Sequence, residues 1–206
     1  MNKKIESVGP VIIGGVSRAG KSRLANLVFQ QTRCTVVHLD SFLNAVRNNY
    51  PAPILTPREK KIFQDYCDTV LVKAIRNMGK EFNYLRVYES SFISPKLIIQ
   101  RLWYIKPITL FLGYPNTEPE SKLSEIRKAA LDDPYCWSHQ MEDLELLETV
   151  KSFISLSQAI EKDCVKYGFP FFDVSDNWHG IMELALIHIL ICIDYKTHLN
   201  LDKELF

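Results

Sequence analysis

Five short apolar runs punctuate the chain, at residues 11–13, 35–39, 84–88, 108–113 and 169–172. They are continuous rather than alternating, the pattern of strands covered on both faces, as in a parallel sheet. Between them the apolar positions change to helical spacing. Thr56-Pro57-Arg58-Glu59 combines an N-cap, a proline at the first helical position and a capping-box glutamate. Ile62, Phe63, Tyr66, Val70, Ala74 and Met78 then recur on one face until Gly79, a stop signal. Ser94-Pro95 opens another helix. Leu147, Val150, Ile154, Ile160 and Cys164 mark a later one. Glu142, Asp143 and Glu145 stand at its start and Lys162 and Lys166 near its end, as the helix dipole favours, and Gly168 closes it. A last apolar helix is predicted over 180–192.

Strands separated by helices at this spacing predict an open α/β sheet with right-handed crossovers. The stretch 44–55, rich in Asn and Pro, directly follows the second strand. Irregular segments at that edge of an α/β sheet are where ligands are usually handled.

A chain of 206 residues, 47% of them apolar, suits a single domain spanning 1–206 with a sizeable core. Its 25 basic and 24 acidic side chains leave a net charge of +1. That balance argues against a nucleic-acid partner held by bulk charge, while leaving room for a local cationic pocket. Cys34, Cys67, Cys136, Cys164 and Cys192 are odd in number and form no C-x-x-C pair, so free thiols in a reducing compartment are expected. The basic N-terminus meets Glu6 and Gly9-Pro10, which interrupt any secretory leader. The apolar run 184–193 contains His188 and falls short of the ~18–20 residues of a membrane helix. The expectation is a soluble, cytoplasmic protein without a membrane partner. The five histidines offer no metal-ligand spacing, and nothing in the sequence fixes the oligomeric state.

The strongest chemical signal is Gly15-Val16-Ser17-Arg18-Ala19-Gly20-Lys21-Ser22, a complete G-x-x-x-x-G-K-[ST] phosphate loop. An apolar strand precedes it and a helical run beginning at Arg23 follows, which is the context the motif requires. Its glycines let backbone N–H groups turn inward around a phosphate, and the helix N-terminus adds its positive end. Lys21 is expected to reach the β- and γ-phosphates of a nucleoside triphosphate, and the Ser22 hydroxyl to ligate Mg²⁺. Gly15, Val16, Ser17, Arg18, Ala19, Gly20, Lys21, Ser22 and Arg23 are the candidate nucleotide-binding residues.

The second strand ends in His38-Leu39-Asp40-Ser41-Phe42, which places Asp40 at the carboxyl end of a strand expected to neighbour the loop. A carboxylate there accepts the proton of an attacking hydroxyl or orients the water on Mg²⁺; capping a turn is the alternative. At this point the chain resembles the small P-loop kinases, the group of uridine, nicotinamide riboside, shikimate and nucleoside-monophosphate kinases. The resemblance rests on GGVSRAGKS at 14–22, HLDSF at 38–42, Val87-Tyr88-Glu89, and Leu110-Phe111-Leu112-Gly113-Tyr114 with the charged helix after it.

It implies a three-layer P-loop NTPase fold with a five-stranded parallel sheet and a short helical lid at about 114–141. It also implies ATP and Mg²⁺ as cofactors. Asp40 matches the acid that serves a hydroxyl acceptor, and Glu89 the acid of the Mg²⁺ shell or acceptor; Glu89 as a satisfied polar strand end is the alternative. Family lids carry arginines that clamp the moving phosphoryl group. Here a T-x-x-E pattern, Thr117 and Glu120, predicts the start of the lid helix, no arginine-rich signature follows, and Arg127 is the lid candidate. Lys122, Arg127 and Lys128 alternatively form an exposed face balancing Glu118, Glu120 and Glu125. Arg18, within the loop, is a further cation able to reach a phosphate.

In the resembled group the loop after the last strand, here Asp173 to Asn177, lies beside the adenine base. Phe42, Tyr50, Trp103 and Tyr104 are candidates for lining an acceptor pocket, with core packing as the default for Trp103 and Tyr104. Arg47 and Arg58 suit an acidic or phosphorylated acceptor. The function these residues imply is ATP- and Mg²⁺-dependent phosphoryl transfer to a hydroxyl of a small metabolite. A nucleoside-monophosphate kinase would place arginines rather than an acid before the acceptor. A nucleotide-binding switch that hydrolyses slowly is the rival from another class. A GTPase is disfavoured, because the exit of the fourth strand reads Tyr-Pro-Asn-Thr in place of N-K-x-D.

Overall fold

A computed structural model describes residues 8–48, 57–81, 84–134 and 136–203. Five strands, β1 (Val11–Gly15), β2 (Thr35–His38), β3 (Arg86–Glu89), β4 (Ile108–Gly113) and β5 (Phe171–Asp173), form one parallel sheet in the order β2-β3-β1-β4-β5. The most uniformly apolar runs lie centrally: every residue of β1 and β4 is buried, whereas the edge strand β2 is half exposed. Continuous hydrophobicity thus marks strands covered on both faces.

Helix α1 (Lys21–Thr32) packs beside α7 (Trp178–Lys203) on one face, and α6 (Asp143–Tyr167) covers β4 and β5 on the other. Short α4 (Pro95–Leu97), capped by Ser94 Oγ accepting from the Leu97 N–H at 3.2 Å, packs on α6. It continues as a π-helical turn over Ile98–Leu102 and a 3₁₀ turn over Trp103–Ile105. Helix α3 (Pro57–Glu81) joins the core through Phe63, Cys67, Leu71, Val72 and Ile75. Helix α5 (Pro119–Ala130) rests on α6 through a small separate cluster of Ile126, Leu146 and Val150. Helix α2 (Leu39–Asn48) follows β2 without a break.

The chain leaves β1 toward β2 and β3 on one side and later crosses to β4 and β5 on the other. The carboxyl end of β1 is therefore a topological switch point, the place where α/β sheets bind ligands. The phosphate loop sits there.

Several expectations shift. The second strand ends at His38, and Asp40 lies in the first turn of α2 rather than at a strand end. Its strand pairs with β3, not with β1, so the loop's direct neighbours are β3 and β4. Residues 44–48 are helical, and the rest of the irregular stretch, with Tyr50 and Thr56, lies outside the described residues. Gly79 does not stop α3, because one glycine costs only about 1 kcal/mol in a helix interior and this helix is long.

Strand β5 starts at Phe171: Pro170 has no N–H for the ladder and contributes only its carbonyl to the Phe111 N–H at 3.0 Å, while Phe169 packs edge-on against Phe111. Trp103 and Tyr104 do not enter the core, being 63% and 45% exposed. The C-terminal apolar run is part of a longer helix than expected. Among the described residues Trp178–His198 is long and apolar enough to cross a membrane, while Met182, Ala185, Ile189 and Ile193 of that helix are packed into the core.

Candidate active site

The loop owes its shape to two positions that only glycine fits. Gly15 has φ +124°, and a Cβ there would lie 1.9 Å from the Leu112 carbonyl oxygen. Gly20 has φ +98°, and a Cβ would lie 2.9 Å from Trp178 Nε1. The loop is sewn to the neighbouring strand by the Val16 N–H donating to the Leu112 carbonyl at 3.1 Å. Tyr114 adds a second stitch, its buried hydroxyl donating to the Ser17 carbonyl at 2.8 Å. Helix α1 then begins at Lys21 with Gly20 at its N-cap and no side chain capping the first turn. Its first N–H groups have no intrahelical acceptor and form an anion cradle.

Lys21 is buried, with Nζ donating to the Val16 carbonyl at 2.8 Å and to Ser91 Oγ at 2.7 Å. Burial pushes its ammonium below the ordinary lysine range, and the carboxylates of Asp40 and Glu89 pull it part of the way back. Glu89, buried at the end of β3, accepts from Ser22 Oγ at 3.2 Å and lies 2.8 Å from His38 Nδ1. Asp40 is pinned on both oxygens. Ser90 Oγ donates to its Oδ1 at 2.6 Å, and the Ser91 N–H donates to Oδ1 at 2.8 Å and Oδ2 at 3.1 Å. A cation and two acids thus converge on a cavity of about 750 Å³ lined by the loop, Asp40, Glu89 and Ser91.

The far wall comes from 114–141. Arg18, held at φ +61°, a conformation few non-glycine residues adopt, lays its guanidinium 5.6 Å from the Trp137 ring centroid and donates through Nη2 to Cys136 Sγ. Its Nε is buried without a hydrogen-bond partner among the described residues. Trp178, at the start of α7, closes the cavity beside Gly20.

Of the residues singled out in the sequence, Ser17, Arg18, Gly20, Lys21, Ser22, Arg23, Asp40 and Glu89 line this cavity, while Val16 and Ala19 are buried beneath it. Arg127 is placed elsewhere. Its Nη1 donates to the Ser138 carbonyl at 2.6 Å, its Nη2 to the Met141 carbonyl at 2.6 Å, and Nε and Nη2 both engage Asp143 Oδ1. It fastens the 3₁₀ turn Trp137–Gln140 to the ends of α5 and α6. Lys122 is no exposed face residue either: it is buried, 4.5 Å from the Tyr114 ring centroid and paired with Glu125 at 2.8 Å. Arg58 is exposed and absent from the cavity wall.

Ser90, Ser91, Cys136, Trp137 and Trp178 also line or brace the cavity, and no motif in the sequence marks them. The Ser-Ser pair directly after a strand-end acid was the available signal for the first two. After β5, Asp173 accepts from Asn116 Nδ2 at 2.8 Å, which ties the loop at 173–177 to the exit of β4.

The residues fit the groups that the loop motif implies. A buried arginine N–H without an acceptor and an uncapped helix start suit a polyphosphate. Among the described residues no three His, Cys, Asp or Glu side chains cluster for a metal. Ser22, bonded to Glu89 and with Asp40 on the same cavity wall, instead suits Mg²⁺, which takes one or two protein carboxylates plus phosphate oxygens and water.

The fold is that of solved small P-loop kinases. Shikimate kinase from Acinetobacter baumannii, solved in complex with shikimate, matches with a TM-score of 0.55 and 13% identity over 93% of this chain and 97% of that one. A gluconokinase from Sinorhizobium meliloti 1021 matches with a TM-score of 0.54 and 15% identity over 96% and 98%. No family model and no curated protein sequence matches the chain.

Proposed function

We propose that this protein transfers the terminal phosphoryl group of ATP, with Mg²⁺, to a hydroxyl group of a small metabolite. The observation that supports this reading is the meeting of the phosphate loop with an oriented acid: Lys21 and Asp40 line one cavity, and Ser91 contacts both. A shikimate kinase, solved in complex with shikimate, and a gluconokinase share the fold.

The loop N–H groups and Lys21 hold the β- and γ-phosphates. Ser22 and Glu89 would hold Mg²⁺, which would supply positive charge to neutralise those phosphates. Asp40 receives the proton of the acceptor hydroxyl as its oxygen bonds to the γ-phosphorus and the bond to the β-phosphate oxygen breaks, leaving ADP. Ser90 and Ser91 keep that carboxylate aimed, since a misplacement of about 1 Å can cost roughly a hundredfold.

Arg18 supplies the cation that family lids provide from an arginine-rich segment, and 114–141 acts as the lid that seats it. Arg127 acts by fixing the lid's shape. Asp40 disfavours a nucleoside-monophosphate acceptor, whose phosphate needs no base. The test is incubation of the protein with a fractionated metabolite extract, Mg²⁺ and ATP labelled at the γ-phosphate. A labelled small organic phosphate supports the reading, and label appearing only as inorganic phosphate opposes it.

A further inference from the structure

A second cavity, of about 670 Å³, lies at the amino ends of the strands, the end of the sheet opposite the phosphate loop. Arg86 opens β3 there, Ile105 precedes β4, Ile75 and Arg76 approach from α3, and Tyr104 stands at the side. Among the described residues it shares no lining residue with the phosphate-loop cavity. Its walls are of two kinds. Ile75, Ile105 and the ring of Tyr104 are apolar, and the partial exposure of Tyr104 puts that ring at the rim.

Arg76 and Arg86 bring positive charge. The Arg76 guanidinium is held 4.9 Å from the Tyr104 ring centroid and donates to the Arg101 carbonyl at 3.3 Å. A guanidinium carries five N–H donors, so this anchored cation has donors to spare. On the inner wall, Tyr88 is wholly buried and its hydroxyl has no hydrogen-bond partner among the described residues. Burial pushes that phenol up, and Arg86 is near enough to oppose the shift. A buried hydroxyl without a partner is costly, so an occupant that accepts its hydrogen is favoured.

We propose that this cavity is a second ligand site, for a small amphipathic anion: a carboxylate or phosphate carried on an apolar or aromatic body. The anionic group meets Arg76 and Arg86 and accepts from the Tyr88 hydroxyl, while the body lies along Ile75, Ile105 and Tyr104. Among the described residues of the wall, guanidinium and hydroxyl donors stand beside apolar side chains, which selects charge at one end of the ligand and not along it.

The test is a calorimetric titration of the whole protein with benzoate, phenyl phosphate and uncharged benzyl alcohol. Saturable binding of either anion, with benzyl alcohol roughly tenfold weaker, is expected. Arg76→Gln should weaken the anion roughly tenfold, and Tyr88→Phe, which removes one oxygen and leaves the ring, several-fold. Lys21→Ala should leave the affinity unchanged, which separates this site from the phosphate loop. The tighter anion identifies the head group. No saturable binding up to about 10 mM, equal binding of benzyl alcohol, or indifference to Arg76→Gln would overturn the proposal, as would loss of binding in Lys21→Ala.

Discussion

The guanidinium of Arg18 lies over the indole of Trp137, 5.6 Å from its centroid, and joins the phosphate loop to a turn 119 residues further along the chain. The same guanidinium bonds Cys136 and keeps a buried Nε without an acceptor among the described residues. A cation placed in advance at the edge of the phosphate cradle needs little reorganisation when charge develops there.

Arg18→Ala should therefore lower kcat by about 10²–10³, the usual cost of removing a preorganised charge-stabilising donor. Trp137→Ala removes only the ring beneath the cation, worth about 0.5–2 kcal/mol, and should cost roughly 2- to 30-fold. Steady-state ADP release measures both. A larger loss in Trp137→Ala than in Arg18→Ala would show that the aromatic wall, not the cation, matters.

Arg127 satisfies the carbonyls of Ser138 and Met141 and pairs with Asp143. Arg127→Leu leaves those carbonyls unmatched and should destabilise the protein by about 1–3 kcal/mol, read as a lower urea midpoint. Its turnover at low temperature should fall much less than that of Arg18→Ala. Unchanged stability with abolished turnover would return Arg127 to the phosphoryl group.

Gly20 combines a left-handed backbone with contact against Trp178. Gly20→Ala should cost about 1–2 kcal/mol from the backbone alone and distort the cradle, raising the Kd for ATP more than tenfold. Fluorescence titration following Trp178 reports the binding. ATP affinity at the wild-type level would mean that the loop conformation is not what holds the phosphates.

Ser90→Ala removes one of the donors that aim Asp40 and leaves the backbone donor at Ser91 in place. Turnover should fall about tenfold with ATP affinity unchanged, as expected of a group that positions a base. The conservative Ser90→Thr should recover part of that loss. Equal effects of both substitutions on ATP affinity would instead make Ser90 part of the nucleotide cradle.

What the sequence made legible were local signals. The apolar cores of β1 and β4 are unbroken runs, and the phosphate loop is a spacing of glycines, lysine and serine that has one structural meaning. What it hid was set by partners distant in the chain. Asp40 looked like a strand-end acid, yet its aim depends on Ser90 and Ser91, fifty residues on. Arg127 looked like a lid cation, because a sequence does not reveal that the Ser138 and Met141 carbonyls and Asp143 occupy it. Lys122 looked solvated, but the Tyr114 ring covers it. Strand order was beyond reach for a similar reason: β1 pairs with β3 and β4 through contacts that no local pattern encodes.

In the proposed reaction Asp40 serves an acceptor hydroxyl while the loop holds the nucleotide. The direct test is ADP release with ATP and Mg²⁺ across a panel of small hydroxyl metabolites, for the wild type and for Asp40→Asn, with ATP binding measured on both. One acceptor should stimulate release well above the acceptor-free rate. Asp40→Asn should bind ATP as the wild type does and lose about 10²–10⁴ of the stimulated rate. Slow hydrolysis indifferent to every acceptor, or full stimulation in Asp40→Asn, would contradict it.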